Sequence, residues 1–154
     1  MYNVGFTGTQ HGMTKEQNSK LKQMLIELEL LYGPLTLHHG DCVGADFQAH
    51  SLFHDLTIQR IHKLNKVEIY PSSILTKRAH SDRKYGDINL VIHSTKSPLA
   101  RNKDIVGASN VLIAAPQGRH EEQRSGTWAT IRYARAARLP HYIIYPDGHV
   151  NYFG

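Results

Sequence analysis

The sequence predicts an α/β fold: a three-layer sandwich with a mainly parallel sheet of about five strands and helices on both faces. Three observations predict it. Short apolar runs alternate with longer segments of helical periodicity, the pattern of successive βαβ units. The run Val111-Leu112-Ile113-Ala114-Ala115 holds no polar residue, as a strand covered on both faces requires. Three glycine turns, Thr7-Gly8-Thr9, Gly40 to Asp46 and Ser125-Gly126-Thr127, each follow a strand-like segment. In a parallel sheet such turns gather along one edge, where ligands bind.

Each element has its own signal. Tyr2–Thr7 reads as the first strand. Thr14, followed three residues later by Gln17, forms a capping-box pattern that satisfies two orphan donors. The helix it opens carries Leu21, Met24, Leu25, Leu28 and Leu31 on one face, and Gly33-Pro34 stops it. Leu35–His39 is a short second strand. The turn Gly40-Asp41-Cys42-Val43-Gly44-Ala45-Asp46 opens a helix with Ala45, Ala49, Leu52 and Phe53 facing inward. Either Leu56–His62 or Lys66–Tyr70 supplies the third strand. Pro71 to about Lys96 reads as polar, basic and irregular, and loops that long inside a compact domain are usually functional or mobile. Pro98 starts a helix through about Ala108, and Val111–Ala115 is the fourth strand. Ser125–Leu139 is the last long helix, ended by Pro140; Tyr142–Tyr145 is a fifth strand, followed by the turn Pro146-Asp147-Gly148. No internal repeat or low-complexity segment interrupts this order.

Composition bounds the function. The 154 residues predict one domain over 1–154, and 40% hydrophobic with 20% charged residues is ordinary for a globular chain. The longest apolar runs are about five residues, against the roughly 20 that span a bilayer. The chain begins directly with a strand-like segment, so a cytoplasmic protein without a signal peptide is expected. Cys42 is the only cysteine and cannot form an internal disulfide, which fits a reducing compartment. A net charge of +5 and a pI near 9.4 favour anionic partners: nucleotides, nucleic acid or phosphorylated metabolites.

The turn after Val111–Ala115 carries the sharpest chemistry. Its order is strand, polar loop, helix N-terminus, and the free N–H groups and dipole of a helix start hold phosphate or carboxylate. Gly126 admits a ligand close to the backbone, and the Ser125 and Thr127 hydroxyls can donate to it.

Taken in order, Gly5-Phe6-Thr7-Gly8-Thr9, His39 to Asp46, Ala100-Arg101-Asn102, Ala115-Pro116 and Ser125-Gly126-Thr127-Trp128 resemble the SLOG superfamily. This is the Rossmann-like superfamily of the cytokinin-activating LOG phosphoribohydrolases and the DNA-processing protein DprA. The resemblance runs from Gly5 to Gly148 and is strongest to the small bacterial and phage YspA-like, or DUF2493-type, branch. It implies a Rossmann-like fold and a site for a nucleotide or nucleotide-derived ligand built from Thr7, Gly8, Thr9, Gly40, Asp41, Gly44, Ala45, Asp46, Arg101, Asn102, Pro116, Ser125, Gly126, Thr127 and Trp128. By analogy it also implies a homo-oligomer.

In LOG enzymes an arginine before the fourth strand works with a glutamate just after a glycine-threonine pair to cut an N-glycosidic bond. Arg101 and Gly126-Thr127 fall at the first two places; Ala129 and Thr130 stand where the glutamate should be. The loop ahead of the motif is longer here and holds Glu121 and Glu122, either of which can stabilise a cationic sugar and position water. Three readings follow. The first is a sensor or sequestering module for a nucleotide. The second is a nucleotide N-glycosidase using Arg101 with Glu121 or Glu122. The third is a DprA-like nucleic-acid binder, for which Arg132, Arg135 and Arg138 recur every three residues on the last helix.

Other residues have two readings each. Arg101 can clamp a phosphate or pair with Asp104; Asn102 can read a base or cap locally; Asp46 can bind ribose or order its own turn; Trp128 can stack on a base or pack. His38 and His39 point to opposite faces of the second strand, and His50 and His54 share a helical face, but no carboxylate or cysteine pattern completes a metal site. Neither a metal nor a cofactor is expected.

Overall fold

The computed structural model describes residues 1–59, 64–85 and 89–154. Strand β1 (Tyr2–Gly8) lies centrally, and helix α1 (Lys15–Tyr32) returns the chain to β2 (Leu35–His39) beside it. Helix α2 (Ala45–Gln59) then leads to β3 (Lys66–Ile69), and a short helix α3 (Ser81–Lys84) precedes β4 (Asn89–Ile92). Helix α4 (Pro98–Ala108) carries the chain back across to β5 (Val111–Ala115) on the other side of β1. Helix α5 (Gly126–Ala136), β6 (His141–Ile144) and β7 (Val150–Phe153) complete it. The strand order is β4-β3-β2-β1-β5-β6-β7, parallel except for β7.

The third strand is Lys66–Ile69; Leu56–Gln59 belongs to α2, and positions 60–62 of the alternative lie outside the described residues. The sheet has seven strands where about five were expected. Both extra strands are edges of four residues with partly exposed faces, so neither shows the buried alternation that marks a strand. One of them, β4, lies in the stretch read as irregular, which also holds a 3₁₀ turn at Leu75–Lys77 and α3. β7 returns antiparallel after the Pro146-Asp147-Gly148 turn, where Gly148 N–H donates to Tyr145 O at 2.8 Å.

Helices α1 and α2 cover one face of the sheet, and α4 and α5 the other. The larger core lies under α1 and α2 and joins Val4, Phe6, Leu21, Leu25, Leu37, Phe53 and Val67. A smaller cluster beneath α5 holds Trp128, Ile131, Ile143 and Tyr145. The capping box forms: Thr14 Oγ1 accepts from Gln17 N–H at 3.1 Å, and Gln17 Oε1 accepts from Thr14 N–H at 3.0 Å. Gln17 then donates from Nε2 to Pro116 O and Ile144 O, which ties the start of α1 to the ends of β5 and β6. Leu31, expected on the inner face, is 73% exposed in the last turn of α1, and Leu52 is half-buried. Helix α5 ends three residues before Leu139, because Arg138 turns into a left-handed conformation at φ +55°.

Candidate functional site

The chain reverses its direction of sheet growth between β1 and β5, so the loops at their C-terminal ends splay apart and leave a crevice. A cleft of about 310 Å³ opens there. Its floor is Gly8 and Thr9; Gln10 and His11 continue from them. Cys42, Ser72, Lys77, Pro98 and Arg101 form one wall, and Gln117, Glu122, Arg124 and Ser125 to Trp128 the other.

The two glycine turns that open helices have different fates. At α2, Ala45 N–H donates to Thr9 O at 3.0 Å, Asp46 Oδ2 accepts from Cys42 N–H at 3.2 Å, and none of the helix's first residues lines the cleft. Gly44 is locked there at φ +88°, with Gln10 O where a Cβ would stand. At α5, Ser125 caps Trp128 N–H at 3.2 Å, but the Gly126 and Thr127 amides bond to no other group among the described residues. A Cβ added to Gly126 would meet nothing within 4 Å. Protein packing therefore does not require glycine at 126, and the open space lies at the cleft.

Arg101 reaches the cleft from α4. It is only 6% exposed, and Nη1 donates to Gly40 O at 2.7 Å and Tyr70 O at 2.9 Å, joining the ends of β2 and β3. Nη2 donates to Cys42 Sγ at 3.0 Å, and Nε has no partner. Asp104, its alternative partner, pairs instead with Lys96 at 2.7 Å. No carboxylate lies within ion-pairing distance of Arg101 among the described residues, so the buried guanidinium has no direct ion pair, and the nearby Asp46 carboxyl acts on it only at longer range. Asp46, buried nearby with Oδ1 unpartnered, is pushed up to about 6 by burial, against the pull of Arg101. Cys42 is raised to about 11 by burial and the Asp46 charge, so it stays a thiol.

Polar groups below this site are consumed by the fold. Asp41, in a left-handed conformation at φ +56°, accepts from the Ser81 hydroxyl at 2.6 Å, Ser81 N–H at 3.0 Å and Arg78 Nε at 3.0 Å. Burial pushes its carboxyl up, but these bonds outweigh it and hold the group below its ordinary range. Asp41 N–H donates to His39 Nδ1 at 3.0 Å, so His39 Nε2 carries the proton and donates to His50 Nδ1 at 2.8 Å. His50 Nε2 then donates to Tyr85 O at 3.3 Å. Neutral imidazoles satisfy this chain, and burial holds His39 at about 3. His38 bonds Tyr70 and Asn3 on the opposite face of β2. No cluster of three metal-ligating side chains exists among the described residues.

Of the residues expected at the site, Gly8, Thr9, Arg101, Glu122, Ser125, Gly126, Thr127 and Trp128 line the cleft. Thr7, Gly40, Asp41, Gly44, Ala45, Asp46, Asn102, Pro116 and Glu121 do not. Trp128 is 3% exposed and packs into the cluster beneath α5. Glu121 lies on the outer surface and accepts from Arg132 Nη1 and Arg135 Nη1, both at 2.9 Å. Two of the three arginines of that stripe are thus paired with a carboxylate. Gln10, His11, Cys42, Ser72, Lys77, Pro98, Gln117 and Arg124 also line the cleft and were not among the expected site residues. Arg124 and Lys77 make no ion pair among the described residues.

Among solved structures, the structural-genomics protein TM1055 matches with a TM-score of 0.56 at 15% identity, over 92% of this chain and 72% of that one. The fold is Rossmann-like. No family model matches the chain, and no curated protein matches it. In this Rossmann-like frame the cleft occupies the switch point between the two halves of the sheet. No helix among the described residues is long and apolar enough to cross a membrane.

Proposed function

We propose that this protein binds a nucleotide or nucleotide-derived small molecule in the cleft between β1 and β5, as a sensor or sequestering module of the SLOG type. One observation carries the reading: Arg101 is a buried cation in no direct ion pair, lining the same cleft as the open amides of Gly126 and Thr127. A buried charge that no direct ion pair neutralises is costly, and an anionic ligand offsets that cost. The motif order of the YspA-like branch supports the same reading, and with it a cytoplasmic protein that assembles as a homo-oligomer.

Glu122 favours a second reading, the N-glycosidase. It lines the cleft with Arg101, whereas Glu121 is held by Arg132 and Arg135, and Ala129 and Thr130 supply no carboxylate. On this reading Glu122 is the loop carboxylate that acts on the sugar, which its position in the cleft lining supports.

The deciding experiment incubates the protein with nucleoside monophosphates, NAD, ADP-ribose and cyclic nucleotides, and reads thermal shift and mass spectrometry on the same samples. A raised melting temperature with the ligand intact is the expected result. Release of free base turns the function to hydrolysis and sends attention to Glu122→Gln. No shift with any of these compounds overturns the binding reading.

A further inference from the structure

The cleft has two cationic ends. On the β5 side stand Arg124 and the open amides of Gly126 and Thr127. On the β2–β3 side stand Arg101, Lys77 and the Ser72 hydroxyl. β5 and β2 flank β1 on opposite sides, so the two ends face each other across Gly8 and Thr9.

The fold places the second end deliberately. Val43 N–H donates to Lys77 O at 3.0 Å, and Cys42 bridges Arg78, which carries the 3₁₀ turn to the mouth of the cleft. The neighbouring Arg78 is taken by Asp41 and Asp82, whereas the Lys77 ammonium has no ion-pair or hydrogen-bond partner among the described residues. Arg101 has five N–H donors; two go to carbonyls and one to a thiol, a weak acceptor. Against Lys77, Arg101 and Arg124 the lining holds a single carboxylate, Glu122. One phosphate on α5 and Arg124 would leave the Arg101 end without its anion.

We propose that the ligand carries two phosphate groups set apart by its sugar: a nucleoside or sugar bisphosphate. One phosphate sits on Arg124 and the Gly126 and Thr127 amides, the other on Arg101, Lys77 and Ser72. This rests on the binding function above and specifies its ligand class. Recognition runs through sugar and phosphates, because Trp128 is too covered to offer a stacking face and the cleft is at the small end of ligand pockets.

Calorimetry with inorganic phosphate, ribose 5-phosphate, adenosine 5′-monophosphate, adenosine 3′,5′-bisphosphate and ADP tests it. The bisphosphate is expected to bind at least about tenfold more tightly than the monophosphate, the scale of a charge-assisted hydrogen bond. Lys77→Ala is expected to shrink that ratio to within about threefold, with circular dichroism confirming the fold. Equal affinities for monophosphate and bisphosphate overturn the two-phosphate ligand and leave nucleotide binding standing. ADP binding more tightly than the bisphosphate overturns the separation by the sugar. An unchanged ratio in Lys77→Ala removes the second end. Binding of none of the probes overturns both this ligand class and the function it rests on.

Discussion

Arg101 concentrates the tension of this molecule at one residue. It holds Gly40 and Tyr70 by their carbonyls while lining the cleft. Lysine keeps the charge but lacks the planar fork, so it cannot serve two strand ends and a ligand together. Arg101→Lys is expected to weaken ligand binding by about 1.5–3 kcal/mol, the range of hydrogen bonds to charged groups. Calorimetry checks it, and an unchanged affinity removes Arg101 from the site. Asp46 makes a different prediction. Its folded value of about 6 lies above the ordinary 3.8, so between those values the folded state holds a proton that the unfolded chain has released. Its contribution is therefore favourable at low pH and is lost as pH rises from about 4 to 6, by on the order of 3 kcal/mol. Buried His38, His39 and His50 have lowered values and the opposite slope, losing stability as pH falls below their ordinary 6.5, but they are common to parent and variant. Asp46→Asn should gain stability relative to the parent across pH 4 to 6 in urea titrations. A parallel pair of stability curves would show that Asp46 does not titrate in this window.

At the scale of the element, two glycines that look alike in sequence do different work. Gly44 has positive φ and a carbonyl where its Cβ would stand; Gly126 has neither constraint. Gly44→Ala is expected to destabilise the protein strongly, since strain and collision add. Gly126→Ala is expected to leave stability unchanged or raise it by up to about 1 kcal/mol, because alanine is the better helix former. The same change should weaken ligand binding by about tenfold or more, because the methyl fills the space at the open amides. Thermal melts beside calorimetry separate the two effects; retained affinity in Gly126→Ala would show that this space is not used. The loop ahead of α5 is strapped down by Arg132, which donates to Glu121, to Glu122 O at 3.4 Å and to Gln123 O at 3.1 Å. Arg119 anchors the other end on Asp147 at 2.6 Å and lies over the Tyr145 ring. Arg132→Ala should therefore raise hydrogen exchange over 119–124 and lower ligand affinity while the melting temperature changes little, since exposed pairs stabilise weakly. Local signals were legible at this scale. The Thr14–Gln17 box and the core stripe of α1 up to Leu28 depend on residues three or four apart, whereas the Ser125 hydroxyl, read as a ligand donor, also caps Trp128 N–H. Which helix start lines the cleft was not legible, because Thr9 O, in the loop after β1, takes the Ala45 N–H, and only the start of α5 borders the cleft with its open amides.

At the scale of the molecule, the parallel topology and the edge that collects the turns were legible from alternating strands and helices. The wall built by Ser72 and Lys77 was not. Its position depends on the Val43–Lys77 bond and the Cys42–Arg78 bridge, contacts about 34 to 36 residues apart that no periodicity announces. β4 and β7 escaped for a related reason: a four-residue edge strand is fixed by its pairing partner more than by its own pattern. The cleft thus exists only when segments 8–11, 72–77 and 117–128 are brought together with Cys42 and the start of α4, at Pro98 and Arg101. A ligand that bridges them must stabilise all three at once, since it binds the folded state and not the unfolded chain. Hydrogen exchange with adenosine 5′-monophosphate at saturation is expected to slow in 8–11 and 117–128, and adenosine 3′,5′-bisphosphate is expected to extend the protection to 72–77. Central β1 and β5 should exchange slowly with or without ligand, as buried strands do. Protection confined to 117–128 for both compounds would reduce the site to the start of α5 alone, with Arg101 and Lys77 serving the fold rather than the ligand.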